Sequence, residues 1–183
     1  MGQGTINKLY FRTVPTIRQY REDKWGKKMI EVRMLDEKET EEAFSLIWEV
    51  FLEFVAPDYT QEGIDNFYQE YIHGAGFRNK FTDKREVMYG AFVGENLAGV
   101  LSFSDKNTVS CVFVRGKYHK MGIGRCLFEK AAEEMLSRGA DKIRLNASPY
   151  AVPFYHHLGF QDTGAQAVYK GIVYTPMELL LKI

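Results

Sequence analysis

Cysteine is nearly absent from this 183-residue chain. The two that occur, Cys111 and Cys126, lie inside apolar runs and not at the spacing of a disulfide framework or a metal knuckle, so they read as buried thiols. An excess of charge is missing too: Lys plus Arg equals Asp plus Glu at 24 each, and no overall field draws the chain toward nucleic acid or an acidic membrane surface. No apolar stretch approaches the roughly 20 residues a membrane span requires. The N-terminus lacks the apolar run of a secretory signal. These absences set the expectation of a cytoplasmic protein with no nucleic-acid or membrane partner. Internal repeats and low-complexity tracts are absent as well.

With 45% hydrophobic and 14% aromatic residues, the chain can bury one sizeable core and is too short for two ordinary domains. Residues 1–28 differ in character from the rest of the chain. They hold seven basic and two acidic residues, a net +5 that leaves −5 for the remainder of a neutral chain. We read 1–28 as a basic N-terminal extension and 29–183 as the functional domain, with Met29 as a natural start. The mildly acidic body suits a cationic or amine substrate.

From Met29 the pattern is readable. Met29 to Leu35 alternates as a strand, and Lys38 to Val55 has helical apolar spacing that Pro57 ends. Gln61 to Ile72 predicts a second helix. Val87 to Val93, Leu97 to Phe103 and Val109 to Val114 read as three strands joined by turn residues, an antiparallel meander. A helix then runs to Arg138, with Gly139 as its C-terminal cap. Lys142 to Ala147 is a strand, and the next short helix has Ser148 as cap, Pro149 at its first position and Gly159 at its end. Ala165 to Tyr169 and Met177 to Leu181 complete a sheet. The expected class is α/β (α+β), a mixed, mostly antiparallel twisted sheet flanked by helices in the order β-α-α-β-β-β-α-β-α-β-β.

The segment His119-Lys120-Met121-Gly122-Ile123-Gly124-Arg125 carries the chemistry. A strand running into a Gly-x-Gly turn and then a helix presents unpaired backbone amides at the positive end of the helix dipole, an arrangement that binds phosphate. Gly122 and Gly124 let phosphates approach the backbone, and Lys120 and Arg125 add positive charge. By itself the motif also describes a plain tight turn. The Walker loop is absent, and a dinucleotide fingerprint needs a third glycine where Leu127 stands, so ATP and NAD do not fit.

The stretch from Cys111 to Phe128, with the stretch from Asn146 through Tyr155 to Leu158-Gly159-Phe160, resembles the GNAT acetyltransferase superfamily over about Met29 to Ile183. The resemblance implies a GNAT-like fold, acetyl-coenzyme A as co-substrate, and an N-acetyltransferase acting on a primary amine by direct transfer in a ternary complex. It assigns the backbone of Val112, Phe113 and Val114 to the pantetheine arm, with the Val114 amide polarising the thioester carbonyl. Residues His119 to Arg125 would hold the pyrophosphate, and Tyr155 would protonate the departing thiolate. His119 replaces a more usual Gln or Arg; its ring could bond phosphate or face water. Ser148 stands where an Asn is common, and either Asn146 or Ser148 could reach the pantetheine unless Ser148 only caps its helix.

A lysine-like amine has a reference pKa of roughly 10.4, so a group that accepts its proton is needed near neutral pH. Asn107-Thr108-Val109-Ser110, where some members of the family carry a Glu, has no carboxylate. The candidates are Glu53, Asp58 and a water chain through Ser110. Glu53 would gain basicity if Phe51 and Phe54 shielded it. The aromatics Phe51, Phe54, Tyr59, Phe67, Tyr68 and Tyr71 either wall an acceptor pocket or fill the core. His156 and His157 are adjacent, about 100° apart on a helix, and cannot simply share a metal, so none is expected. The expected partner is a small-molecule or peptide amine acceptor, and edge strands or helices could pair two copies as a homodimer. The rival reading is a non-catalytic acyl-coenzyme A sensor, prompted by the lack of an evident base.

Overall fold

The computed structural model describes residues 17–23 and 26–181, with side chains from residue 29 onward. In chain order the strands and helices are β1 (Ile17–Asp23), β2 (Gly26–Met34), α1 (Thr40–Phe54), α2 (Gln61–Phe67), α3 (Ala75–Thr82), β3 (Glu86–Val93), β4 (Asn96–Ser104), β5 (Thr108–Val114), α4 (Ile123–Ser137), β6 (Lys142–Ala147), α5 (Val152–Leu158), β7 (Gln161–Asp162), β8 (Ala167–Tyr169) and β9 (Ile172–Leu180). The strands form one sheet in the order β1-β2-β3-β4-β5-β6-β9-β7, with β8 pairing β9 off that path. All pairs are antiparallel except β5 with β6. The expected mixed, mostly antiparallel sheet flanked by helices is the observed class.

Both faces of the central strands are covered, which is why β3 and β4 read as nearly continuous apolar runs. On one face α4 and α5 bury Leu127, Ala131, Met135 and Leu158 against Leu101, Phe103 and Ile143. On the other, α1 to α3 bury Phe44, Ile47, Phe51, Phe67 and Phe77 against Met88, Val100 and Cys111. Both cysteines are buried, as their apolar neighbours imply.

The structure departs from the sequence reading where packing overrides local signals. The strand expected at Met29 begins at Gly26 and pairs with β1, so Met29 lies inside β2 opposite Tyr20. The first helix begins at Thr40 because Asp36 accepts from the Lys38 and Glu39 amides and holds a 3-10 turn before it. The second expected helix changes pitch midway: α2 continues as a π-helical turn, Tyr68–His73, and α3 follows. Only Phe77 of α3 is buried and its sequence holds Gly76, so its periodicity is faint. The short helix begins at Val152, not at Pro149. Ala151 and Val152 donate to the Ser148 carbonyl at 2.9 and 3.2 Å, so Ser148 closes a turn and Pro153 takes the first-turn position. Gly139 and Gly159 adopt left-handed conformations after α4 and α5, as expected.

Candidate active site

The parallel pairing of β5 with β6 is brief. Only Thr108 and Val109 are in register with Arg144 and Leu145; beyond them the strands diverge. The outer edge of β5 is thereby left open from Ser110 to Val114 while its inner edge stays paired with β4. A cleft of ≈1520 Å³ occupies the gap. Val112, Phe113 and Val114 line it on one side, Asn146 and Ser148 on the other, and the N-terminus of α4 closes one end.

Alternation along β5 orients its backbone. The Arg115 N–H donates to Ala98 of β4 at 2.9 Å, so the N–H and carbonyl of Val114, one residue earlier, face the open edge. There His119 Nε2 donates to the Val114 carbonyl at 2.7 Å. The His119 ring also lies 4.7 Å from that of Phe54, which in turn lies 5.3 Å from Tyr150. His119 thus lines the cleft while holding the strand end in place, leaving the Val114 N–H as the donor pointing into the opening.

At the end of the cleft Gly122 takes φ 79°, a left-handed turn that glycine adopts without strain and that aims the first amides of α4 at the opening. No side chain caps this helix. The amides at its first turn are those a helix leaves without intrahelical partners, and α4 is fifteen residues long. Lys120, Gly122, Ile123, Gly124 and Arg125 line the cleft. Met121 does not; it packs against the core beneath the loop. Arg125 is half exposed and pairs with Glu129 at 2.9 Å. An uncapped helix end of this kind fits a pyrophosphate, and an open strand edge fits an extended amide-bearing arm.

Tyr155 of α5 also lines the cleft. It is buried, edge-on to Phe128 and Phe160 at 5.7 and 5.5 Å, and burial above all, with Cys111 adding, raises its phenol above the ordinary range. Cys111 lines the same space with its thiol pushed up to about 12, by burial first and by Glu86 second. It stays a thiol and is a poor nucleophile.

The opposite wall is built from α1, α2, the π-helical turn and β9. Phe51, Phe54, Tyr59, Phe67 and Tyr71 line it, so these aromatics wall the cleft while also packing on the core; Tyr68 instead lies edge-on to Trp48 outside it. Burial raises the Tyr71 phenol to about 12. Tyr59 donates to the Val173 carbonyl at 2.9 Å and Asn66 to that of Lys170 at 2.9 Å, while Lys170 pairs with Glu70 at 2.8 Å. These bonds clamp α2 and the residues flanking it to β9 and to the turn before it.

The carboxylates expected as bases lie elsewhere. Glu53 and Asp58 are exposed and do not line the cleft, because the helix turns its aromatic side inward and its acids outward. Sequence reasoning misses Glu86. This residue opens β3, is 2% exposed, and neither carboxyl oxygen has a hydrogen-bond partner. Its one legible signal is an acid at the head of an apolar strand. His156 pairs with Asp162 at 2.7 Å on the surface.

A mixed sheet splayed between its central strands, with an uncapped helix end at the opening, defines a coenzyme-binding transferase fold. Residues 55–181 match the family model described as an acetyltransferase (GNAT) domain. The chain belongs to that family and is an acetyl-coenzyme A-dependent acetyltransferase. Among similar solved structures, a GCN5-related N-acetyltransferase from Rhodopseudomonas palustris is 17% identical, with a TM-score of 0.72 over 82% of this chain and 94% of that one. PaiA N-acetyltransferase from Thermoplasma acidophilum, solved with coenzyme A, is 20% identical, with a TM-score of 0.68 over 83% and 99%. YncA from Salmonella typhimurium, solved with acetyl-coenzyme A, is 19% identical, with a TM-score of 0.61 over 84% and 94%. At these identities the likeness is one of fold.

Proposed function

We propose that the protein transfers an acetyl group from acetyl-coenzyme A to a primary amine of a small molecule or peptide, directly, within a ternary complex. The observation that carries this is the convergence of three elements on one cleft: the open edge of β5, the uncapped N-terminus of α4, and buried Tyr155. The pantetheine arm would pair with Val112 to Val114, and the Val114 N–H would bind the thioester oxygen, where negative charge develops. The amides of Gly122 to Arg125 would hold the pyrophosphate, with Lys120 beside them. Asn146 and Ser148, facing across the opening, would bond the arm from the other side. Tyr155 is a phenol kept protonated by burial and would donate its proton to the departing thiolate. PaiA and YncA, which share the fold, were solved with coenzyme A and acetyl-coenzyme A. Direct transfer is favoured because burial leaves Cys111 protonated.

Thiol release from acetyl-coenzyme A, measured against polyamines, amino acids, aminoglycosides and peptide N-termini, tests this reading. Amine-dependent release is expected. Tight coenzyme binding with no turnover on any amine would instead establish a non-catalytic acyl-coenzyme A sensor. Acetylated Cys111 that amine chases off would replace direct transfer with a covalent route.

A further inference from the structure

A cationic amine needs a proton acceptor, and the cleft offers few. Glu53 and Asp58 lie outside it, and Glu70, which lines it, is paired with Lys170. Behind the cleft wall, β3 to β5 place polar groups together on the face covered by α1 to α3. Cross-strand register puts Met88 opposite Ser102 and Ser102 opposite Cys111, so Glu86, two residues before Met88, shares their face. Ser102 is fully buried and its hydroxyl, like both Glu86 oxygens, has no hydrogen-bond partner.

The strands are not regular here. Ser102 opposes Cys111 while Phe103 opposes Val109, which leaves Ser110 as the extra residue of a β-bulge. A bulge breaks the alternation of side chains and re-aims one of them. Ser110 lines the cleft at the point where β5 and β6 part, and its hydroxyl, like that of Ser102, lies beside the Glu86 carboxyl and opposes the effect of burial on it without closing a hydrogen bond to it. Buried polar groups are nearly always satisfied, so a carboxyl left unpartnered behind a bulged serine calls for a function.

We infer that Glu86 is the terminal proton acceptor for the acceptor amine, reached through the Ser110 hydroxyl. The inference rests on the N-acetyltransferase reading. As the amine nitrogen approaches the thioester, its N–H bond breaks and an O–H bond forms at Ser110 Oγ, while the original Ser110 proton passes to a Glu86 oxygen. The neutral amine then attacks; the second proton its nitrogen sheds as the amide forms replaces the one Tyr155 gives to the departing thiolate, and the proton held by Glu86 returns through Ser110 to cleft water after product leaves. Nothing is oxidised or reduced. The groups facing Glu86 are Ser102 and Cys111 from β4 and β5, Tyr71 from the π-helical turn, Lys80 from α3 and Asp105 from the turn after β4. Burial is the largest influence and raises the carboxyl above its ordinary value, making its anion a stronger base than a surface Glu.

The test uses the full chain, acetyl-coenzyme A and the amine acetylated fastest among the polyamines, amino acids, aminoglycosides and peptides. Glu86→Gln and Ser110→Ala should each lower kcat/KM on the order of 10²-fold at neutral pH without changing coenzyme affinity. The deficit should shrink as pH rises and the amine loses its own proton. It should also shrink for trifluoroethylamine, a weakly basic amine that enters unprotonated; a merely structural role would slow both amines alike. Glu86→Gln should raise Tm, most at alkaline pH. A carboxyl whose folded pKa is raised contributes its full stability at low pH and loses it as pH rises through that value, and Gln escapes this loss. Unchanged kcat/KM in both variants, or equal losses for both amines, would overturn the inference. If Glu86→Gln does not fold, Ser110→Ala alone decides it. A wild-type enzyme that acetylates no amine refutes the parent reading instead.

Discussion

Gly63→Ala probes how the acceptor wall is held. A Cβ at Gly63 would lie 2.2 Å from the Gly171 carbonyl oxygen and 2.6 Å from its carbon. Ordinary contact begins at about 3.5 Å, so the two backbones must part by about 1 Å. Gly171 cannot yield by rotating a side chain, because the atoms met belong to its backbone. Overpacking of this kind costs about 1–3 kcal/mol. The parting also stretches the bonds from Asn66 to Lys170 and from Tyr59 to Val173, each contributing roughly 0.5–1.5 kcal/mol. Against this, alanine gains at most about 1 kcal/mol of helix propensity over glycine, and less in the first turn where Gly63 sits. The balance is a loss of about 2 kcal/mol, a Tm lowered by roughly 4–8 °C for a chain of this size. The KM for amine should rise, since the wall it moves carries Phe67 and Tyr71, while coenzyme affinity measured by calorimetry should stay put because β5 and α4 are untouched. A variant with unaltered Tm and amine KM would refute the claim that this contact sets the wall.

Three further outcomes concern the donor side. Tyr155→Phe should lower kcat on the order of 10²-fold with coenzyme binding nearly intact, which steady-state kinetics and calorimetry read together; equal turnover under conditions where chemistry limits the rate removes Tyr155 from proton transfer. His119→Ala frees the Val114 carbonyl and should lower kcat by roughly 10-fold, with a smaller change in coenzyme affinity, because the ring is bonded to a strand end. A large loss of affinity with kcat unchanged would make it a phosphate ligand after all. Gly124→Asp sets a carboxylate among the α4 amides, beside Phe154 at 2.8 Å from the new Cβ, and should abolish coenzyme binding in a calorimetric titration; retained affinity would put the pyrophosphate elsewhere.

Much of the donor side is legible in the sequence because its geometry is local. The backbone turn at Gly122, the amides it aims and the helix they open occupy a few consecutive residues, and β5 precedes them directly. Tyr155 is located by its distance from a helix-ending glycine. The strands of the meander fall within a residue or two of their expected bounds, since apolar runs and turn residues mark them regardless of what packs above. His119 is legible but its role is not, because a ring's partner five residues back depends on a 3-10 turn, Gly116–Tyr118, that spacing does not reveal.

The acceptor side has no such signature. Glu53 stands between two phenylalanines in sequence, yet neighbours in a helix point different ways, and its aromatics turn inward while it faces water. Glu86 and Ser110 are twenty-four residues apart and meet only through strand register and one bulge. Gly63 touches Gly171 across more than a hundred positions. The sequence by itself determined the alternating layers and the glycine turn that opens α4, because backbone conformation and hydrophobic period are properties of short segments. Only the tertiary structure decided how far β5 and β6 separate, which aromatics wall the gap and which carboxyl lies behind it, because these depend on packing between segments distant in the chain.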